Sequence, residues 1–143
     1  MKKLNFNISE EIKEALKNNK PVVALESTLI SHGLPYPKNL EVAKSSRNAV
    51  KLSGSLAATI AIIKGEVKIG LNDYDMNILA KSKNVEKVSR HNLAIAISNK
   101  SHAATTVAST IYLASLAGIK FFATGGIGGV HLNGGDTFDI SSD

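Results

Sequence analysis

The sequence contains no cysteine and no tryptophan, and only 5% of its residues are aromatic. Without cysteine the chain has neither a structural disulfide nor a thiolate metal site, which suits a reducing compartment such as the cytoplasm. No stretch approaches the roughly 18 apolar residues of a membrane span, and the N-terminus lacks the apolar core of a signal peptide. The chain is therefore predicted to be cytoplasmic, with no membrane partner.

Dense runs of positive charge are also missing. The 17 lysines and arginines outnumber the 12 aspartates and glutamates, for a net charge of +5, but they are scattered from Lys2 to Lys120. A nucleic-acid-binding domain concentrates its cations on one face or in one stretch. A solvated surface is the favoured interpretation, and no nucleic-acid partner is predicted.

Several common site motifs are absent as well. No glycine stands three residues after Gly128, as a dinucleotide-binding turn requires, and no Gly-Lys-Ser or Gly-Lys-Thr sequence forms a P-loop. The four histidines form neither a His-x-His nor a His-Glu-x-x-His pair, so no zinc site is predicted. The aspartates near the C-terminus miss the spacing of an EF-hand loop.

What is present is a C-terminal segment rich in glycine and oxygen. Residues 123–143 contain six glycines, three aspartates, two threonines and two serines, directly after the apolar run Ile119–Ala123. Glycine allows the backbone to approach a ligand closely, and carboxylate and hydroxyl oxygens suit Mg²⁺ or Mn²⁺. The segment therefore predicts a site for a phosphate, a sugar or a hard cation.

Apolar runs of strand length alternate along the chain with amphipathic helical segments. Strands are predicted at 21–25, 56–63, 66–69, 85–88 and 119–123. Helices are predicted after an Asn7–Glu10 capping box, at 38–52, from Asn72 onwards, at 92–97 and at 105–116. The alternation predicts an α/β fold with a mixed, mostly parallel sheet flanked by helices, in one domain over residues 1–143.

Two clusters of polar residues follow predicted strands. In α/β sheets ligands bind outside the carboxyl ends of the strands, which is where Glu26 lies. Partial burial would raise its pKa toward the range useful for proton donation; the pattern equally allows a carboxylate that caps a neighbouring group or pairs with a lysine. His32, beside Gly33, is more typical of a turn than of a base. Lys87, Arg90 and His91 suit phosphate recognition, but exposed basic turns are common and the surface interpretation is favoured.

Long motifs of the chain together resemble one known family. They are Val22–Pro37 (VVALESTLISHGLPYP), Ala58–Ile62, Lys87–Arg90, Ala104–Thr110 (ATTVAST), Ala117–Lys120, Phe122–His131 (FATGGIGGVH) and Thr137–Ser141. Their order and content are similar to those of the pseudouridine-5'-phosphate glycosidases, also called indigoidine synthase A-like proteins. The resemblance runs from about Ser9 to Asp143.

The resemblance implies an activity, a cofactor and an assembly. The activity is reversible cleavage of the carbon–carbon glycosidic bond of pseudouridine 5'-phosphate to uracil and ribose 5-phosphate, with Mn²⁺ or another divalent cation such as Mg²⁺, in a cytoplasmic homotrimer. Glu26 matches the family's proton donor and Asp139 its metal ligand. The substrate contacts that the resemblance implies are Lys87, Val107, Ser141, Ser142 and Asp143.

The resemblance also implies that a catalytic group is missing. The family forms an imine between the opened ribose and a lysine, which matches no lysine of this chain and lies beyond the point matched by Asp143. The chain is thus expected to be a truncated, N-terminal part of the fold that does not turn over pseudouridine 5'-phosphate alone. The alternatives are one half of a split enzyme and a non-catalytic sugar-phosphate-binding or assembly remnant. The chain departs from the family at two places. Leu132 stands where the family usually has an arginine, and His91-Asn92 stands where it has an Arg-Asp pair.

Overall fold

The computed structural model describes residues 6–130, 133–137, 141 and 143. Seven strands are found in this part of the chain: β1 (Phe6–Ile8), β2 (Val22–Leu25), β3 (Leu56–Ile63), β4 (Glu66–Ile69), β5 (Glu86–Val88), β6 (Ala103–Thr105) and β7 (Phe121–Ala123). The helices are α1 (Glu10–Lys17), α2 (Lys38–Leu52), α3 (Asp73–Lys81), α4 (Leu93–Ser98), α5 (Val107–Leu116) and the short α6 (Gly134–Thr137), with a π-helical turn at Leu29–Gly33. No helix among the described residues is long and apolar enough to cross a membrane.

The strands form one mixed sheet whose central strand is β3. The order is β1-β4-β3-β2-β7, with β6 also paired to β3 and β5 paired to β6. Four pairings are parallel, namely β1 with β4, β2 with β3, β2 with β7 and β5 with β6. The pairings of β3 with β4 and with β6 are antiparallel. The predicted α/β fold with a mostly parallel sheet is therefore confirmed.

Strand β3 supplies side chains to a hydrophobic core on each face of the sheet. Its residues Ala58, Ile60 and Ile62 pack with residues of α1, α4 and α5, whereas Ala61 and Ile63 pack with residues of α2, α3 and the π-helical turn. Successive side chains of a strand point to opposite faces, so a strand covered on both faces is apolar at every position. This explains why β3 is apolar at every position except Thr59.

The N-terminus differs from the sequence-based prediction. The first helix is capped by Ser9, whose Oγ accepts a hydrogen bond from the Ile12 N–H, and Asn7 lies instead in strand β1. Strand β1 was not predicted, because its three residues acquire strand geometry by pairing with β4. Gly70 makes room for this arrangement, since a Cβ atom there would lie 2.5 Å from Ser9 Oγ.

Helix α5 ends at Gly118, a glycine typical of helix C-termini, and the chain then enters β7. Gly118 has a φ of +81°, its N–H donates to the Ser115 carbonyl, and the Ile119 N–H donates to the Ala114 carbonyl. This pair of bonds is the Schellman arrangement that ends helices at glycine. It turns the chain from α5 into β7, at the edge of the sheet beside β2.

The carboxyl ends of β2 and β6 meet along β3. Strand β2 pairs with the first half of β3, up to the partners Leu25 and Thr59, and β6 pairs with Ala61 and Ile62 further along. The Ser27 N–H donates to the Thr105 carbonyl at 3.3 Å, which closes the junction. Because β7 runs parallel to β2 and β5 runs parallel to β6, the ends of four strands converge here.

Candidate active site

A network of buried hydroxyl groups joins the ends of β2 and β6. The Thr105 N–H donates to Ser27 Oγ at 2.9 Å, and Thr105 Oγ1 donates to the Ile60 carbonyl at 2.7 Å while accepting from Thr110 Oγ1 at 2.9 Å. Thr28 Oγ1 also donates to the Thr105 carbonyl, at 2.7 Å. Ser27, Thr105 and Thr110 are fully buried. The network therefore fixes the segment after β2 against the segment after β6.

Glu26 leaves β2 at this junction and is partly buried. Thr124, the first residue after β7, donates a hydrogen bond from Oγ1 to Glu26 Oε1. Burial raises the pKa of the Glu26 carboxyl above its ordinary value, the Thr124 hydrogen bond opposes this, the nearby Asp143 carboxylate raises the pKa again, and the Lys87 ammonium lowers it. The net effect is a raised pKa, as expected for a group that holds a proton closer to neutral pH.

Asp143 connects the glycine-rich loop to the N-terminus of α5. Its Oδ1 accepts a hydrogen bond from the Val107 N–H at 3.2 Å, and its Oδ2 accepts from the Gly128 N–H at 3.1 Å and from Ser141 Oγ at 2.7 Å. The Ser141 N–H in turn donates to the Gly129 carbonyl at 2.9 Å. A carboxylate is stabilised at a helix N-terminus by the free N–H groups and the helix dipole.

The charge of Lys87 acts on both Glu26 and His32. Burial lowers the pKa of the His32 ring, the Lys87 charge lowers it further, and a hydrogen bond to the Val85 backbone raises it. His32 Nδ1 also lies 2.7 Å from Ser31 Oγ, within the π-helical turn. Such turns interrupt the regular hydrogen-bond pattern and occur frequently at functional sites.

The turn after β5 is organised by Asn92, one of the departures from the family pattern. Asn92 Oδ1 accepts from the Ser89 N–H at 2.8 Å, and its Nδ2 donates to the Lys87 carbonyl at 3.3 Å. Arg90 points elsewhere, with its guanidinium carbon 5.0 Å from the centre of the Tyr112 ring. Of the basic residues near this turn, Lys87 is therefore the one whose charge acts on Glu26.

A cavity of about 300 Å³ opens beside Glu26. Its floor is the end of the sheet, including Thr59, and its wall is the inner face of α2, including Ala43 and Val50. Glu26 and Thr124 also line it. A mostly apolar cavity with a few polar groups in its lining is the usual form of a small-molecule site.

The structure brings together five of the seven residues predicted for the site. They are Glu26, Lys87, Val107, Ser141 and Asp143, which are linked by the hydrogen bonds and charge effects described above. Asp139 and Ser142 lie outside the described residues, and so does Leu132. Within the described part of the chain, no group of three or more His, Asp or Glu side chains is placed to hold a metal ion. The cation at Asp139 therefore stays a prediction.

Sequence reasoning missed Thr124 and Thr106. Thr124 follows the predicted strand 119–123, so the rule that identified Glu26 at a strand end applied to it as well. Thr106 is the N-cap residue of α5; it is 2% exposed, and its Oγ1 has no hydrogen-bond partner among the described residues. Strand β6 was not predicted, so this position was placed inside a helix.

Known proteins share both the sequence and the fold. The sequence model of the indigoidine synthase A like proteins matches residues 11–143. The pseudouridine-5'-phosphate glycosidase of Petrotoga mobilis is 54% identical over 138 residues, and that of Escherichia coli K12 is 53% identical over 139 residues. Each of these matches covers 96% of this chain and 45% of the relative, so the chain spans less than half the length of these relatives.

Two solved structures superimpose on the chain. The prealnumycin C-glycosynthase AlnA, in complex with ribulose 5-phosphate, gives a TM-score of 0.80 at 42% identity and covers 96% of this chain and 44% of its own. An indigoidine synthase A-like protein from Thermotoga maritima gives a TM-score of 0.79 at 31% identity with the same coverage. With the family model matched over nearly the whole chain, this protein belongs to the indigoidine synthase A like family.

Proposed function

We propose that this chain carries the proton-donating part of a site that cleaves the carbon–carbon glycosidic bond of pseudouridine 5'-phosphate reversibly, giving uracil and ribose 5-phosphate. The observation that carries the proposal is Glu26, a partly buried carboxyl with a raised pKa at the convergence of four strand ends. Relatives named for this activity are 53% and 54% identical to the chain.

Cleavage of the glycosidic bond requires a proton donor at one atom of the base. When the bond between base and sugar breaks, the uracil carbon that loses the sugar gains a hydrogen, and Glu26 is the proposed source. A group that stays protonated closer to neutral pH is suited to this step. Lys87 and the Val107 N–H, with Ser141, Ser142 and Asp143, are the proposed contacts of the sugar phosphate. The uracil carbon keeps the bonding electron pair, so the sugar carbon needs an electron donor, and the nitrogen lone pair of a lysine would supply it by forming an imine.

We further propose that a divalent cation, Mn²⁺ or Mg²⁺, binds at Asp139. A bound cation supplies positive charge that stabilises phosphate and sugar oxygens. The test is titration of the protein with Mn²⁺, followed by electron paramagnetic resonance of the free ion. Asp139→Asn should weaken binding at least tenfold, whereas Asp136→Asn, which removes the same charge from α6, should not. Equal affinities of the two variants would exclude Asp139 as a ligand.

The proposed assembly of the complete fold is a cytoplasmic homotrimer that binds small molecules and neither nucleic acid nor membrane. Sedimentation equilibrium of the purified chain measures the assembly directly. A mass of three chains at micromolar concentration supports it, and a monomer at the same concentration contradicts it.

A second candidate function is sugar-phosphate binding without turnover. It is supported by the solved relative that holds ribulose 5-phosphate at a TM-score of 0.80 to this chain. Calorimetric titration with ribose 5-phosphate tests binding independently of any catalysis.

One experiment separates the two candidates. Uracil release from pseudouridine 5'-phosphate is measured with the chain alone and after co-expression with a polypeptide that carries a Cys-Ala-Gly-Ala-Lys-like segment, with borohydride trapping of the imine. The catalytic proposal expects release in the second case, reduced about 100- to 10,000-fold by Glu26→Gln, with ribose 5-phosphate binding retained. Binding without release in either case favours the second candidate. Release that is unchanged in Glu26→Gln contradicts the role of Glu26.

A further inference from the structure

The hydroxyl group of Thr124 lies between the Glu26 carboxyl and one peptide group of the glycine-rich loop. Thr124 Oγ1 donates to Glu26 Oε1, lies 2.9 Å from the Gly126 carbonyl oxygen, and accepts a hydrogen bond from the Gly126 N–H at 3.2 Å. A threonine hydroxyl has one proton to donate and two lone pairs that accept. It therefore gives a full hydrogen bond either to Glu26 or to the Gly126 carbonyl, but not to both.

The protonation state of Glu26 decides which of the two bonds forms. An ionised carboxylate only accepts, so the Thr124 proton must point at Glu26. A protonated carboxyl has its own O–H, which can donate to Thr124 Oγ1 and free the Thr124 proton to turn to the Gly126 carbonyl. In both states the Gly126 N–H keeps its acceptor, and the Gly126 carbonyl is the group that gains or loses the Thr124 donor.

We propose that Thr124 is a positioning residue that acts as a two-position hydrogen-bond relay, coupling the protonation state of Glu26 to the peptide group of Gly126. The exchange requires only rotation about the Thr124 Cβ–Oγ1 bond. The Glu26 proton goes to or comes from substrate or solvent, and Thr124 keeps its own proton throughout.

The charged groups around Glu26 come from three further segments. Lys87 on β5 favours the ionised carboxyl, Asp143 favours the protonated one, and His32 on the π-helical turn lies within the field of Lys87. Thr124 is the group that reaches from Glu26 to the glycine-rich loop by hydrogen bonds on both sides. Gly125 lines the same cavity as Glu26, so a change in the adjacent peptide acts on the shape of the proposed binding space.

The relevance of the relay for catalysis rests on the proposed function, whereas the hydrogen-bond exchange belongs to the resting protein. It is therefore measured without substrate. The full chain, labelled with ¹⁵N and ¹³C, is titrated with acid while the Glu26 Cδ shift and the Gly126 amide shifts are followed by NMR. The comparison includes the wild type, Thr124→Ser, the isosteric Thr124→Val and Glu26→Gln.

The proposal makes a distinct prediction for each protein. In the wild type and in Thr124→Ser the Gly126 amide shifts follow pH with the midpoint of Glu26. In Thr124→Val this dependence on pH is lost, and the Glu26 midpoint rises because the ionised carboxyl has lost a donor. In Glu26→Gln the Gly126 shifts no longer change over the range in which the Glu26 Cδ titrates in the wild type.

Either of two results overturns the relay. One is a Gly126 amide that does not follow the Glu26 midpoint in the wild type. The other is a Gly126 amide shift that still follows the Glu26 midpoint in Thr124→Val, or that still changes over the same pH range in Glu26→Gln. The Glu26→Gln comparison remains decisive if Thr124→Val does not fold. A failure of the proposed function appears as absent uracil release and leaves these NMR results unchanged, so the two failures are distinguishable.

Discussion

At the scale of single residues, Lys87 is the cation that acts on both Glu26 and His32. Its charge lowers the pKa of each, since it favours ionised carboxyl and disfavours protonated imidazole. A single substitution at Lys87 therefore changes two titrations at once. Such a coupled change identifies the three residues as one electrostatic cluster.

Replacing Lys87 with glutamine should raise both pKa values. The carboxyl of Glu26 loses a stabilising positive charge, and the ring of His32 loses a repelling one. NMR titration of the Glu26 Cδ and the His32 ring carbons measures both effects in one experiment. Lys83→Gln is the matched control, because it removes the same charge from an exposed position just before β5. If Lys87→Gln shifts only one of the two groups, the cluster does not exist as described.

Replacing Glu26 with glutamine should change how stability depends on pH. The folded protein holds the Glu26 proton more tightly than the unfolded chain does, because the folded pKa is raised above the ordinary 4.5. The stability contributed by that proton is complete below the unfolded pKa and is lost as the pH rises through the folded pKa. Glutamine has no such loss.

The free energy of unfolding of Glu26→Gln relative to wild type should therefore increase as the pH rises above the unfolded pKa of Glu26 and level off above its raised folded pKa. Urea unfolding across this range measures the difference. Glu14→Gln, at an exposed position of α1, controls for the loss of one negative charge. A difference that decreases with pH would show that the Glu26 pKa is lowered rather than raised.

At the scale of secondary-structure elements, one hydroxyl group ties the end of β6 to β3 and to α5. Thr105 Oγ1 donates to the Ile60 carbonyl and accepts from Thr110 Oγ1. Thr105→Val keeps the shape and leaves both groups without this partner in a fully buried place, which costs about 1–3 kcal/mol for each group. Thr105→Ser keeps the hydroxyl and loses one methyl group, at about 1 kcal/mol.

Thermal or urea unfolding of these two variants tests the junction. Thr105→Val should be the less stable, although it is the better match in volume. Thr105→Val should also shift the NMR signals of Ser27 and Glu26, because the same junction positions both residues. If Thr105→Ser is the less stable variant, packing rather than hydrogen bonding holds the end of β6 to β3 and α5.

The elements that were predicted correctly are those with a strong pattern of their own. The bounds 38–52 of α2 follow from helical periodicity, and the bounds 56–63 of β3 follow from a run rich in apolar and β-branched residues. Strands β1 and β6 have three residues each and no such pattern. They are strands because β4 and β3 pair with them, and such distant partners are invisible in a local stretch of sequence.

At the scale of the whole molecule, the β7 edge of the sheet is apolar and open in the described part of the chain. Strand β7 pairs with β2 on one side, and Phe121 is 65% exposed, with Ile127 and Val130 nearby in sequence at 70% and 65%. An exposed strand edge with apolar side chains favours association.

The chain alone should therefore self-associate as its concentration rises. Phe121→Lys places a charge on the edge and should reduce the weight-average mass in sedimentation velocity experiments at the same concentration. Tyr74→Lys, at an exposed aromatic residue on α3, is the control. If the two variants associate equally, another surface is responsible for the self-association.

Only part of the site could be predicted from the sequence, because its contacts join residues that are far apart in the chain. The strand-end rule located Glu26, and the family resemblance supplied the other residues of the site. The links between them, such as Thr124 with Glu26 or Asp143 with Val107, join positions 98 and 36 residues apart. No periodicity or spacing in the sequence records such contacts. They follow from the topology of the sheet.

The meeting of β2 and β6 has a consequence for how the protein folds. Ser27 and Thr105 are separated by 78 residues, so closing this junction requires the chain between them to be largely ordered. Contacts of such long range are entropically costly to close and form late or cooperatively. A peptide that contains Glu26 alone has no reason to shift its titration. The NMR midpoint of this one carboxyl is therefore a reporter of the fully folded state, available even where no activity can be assayed.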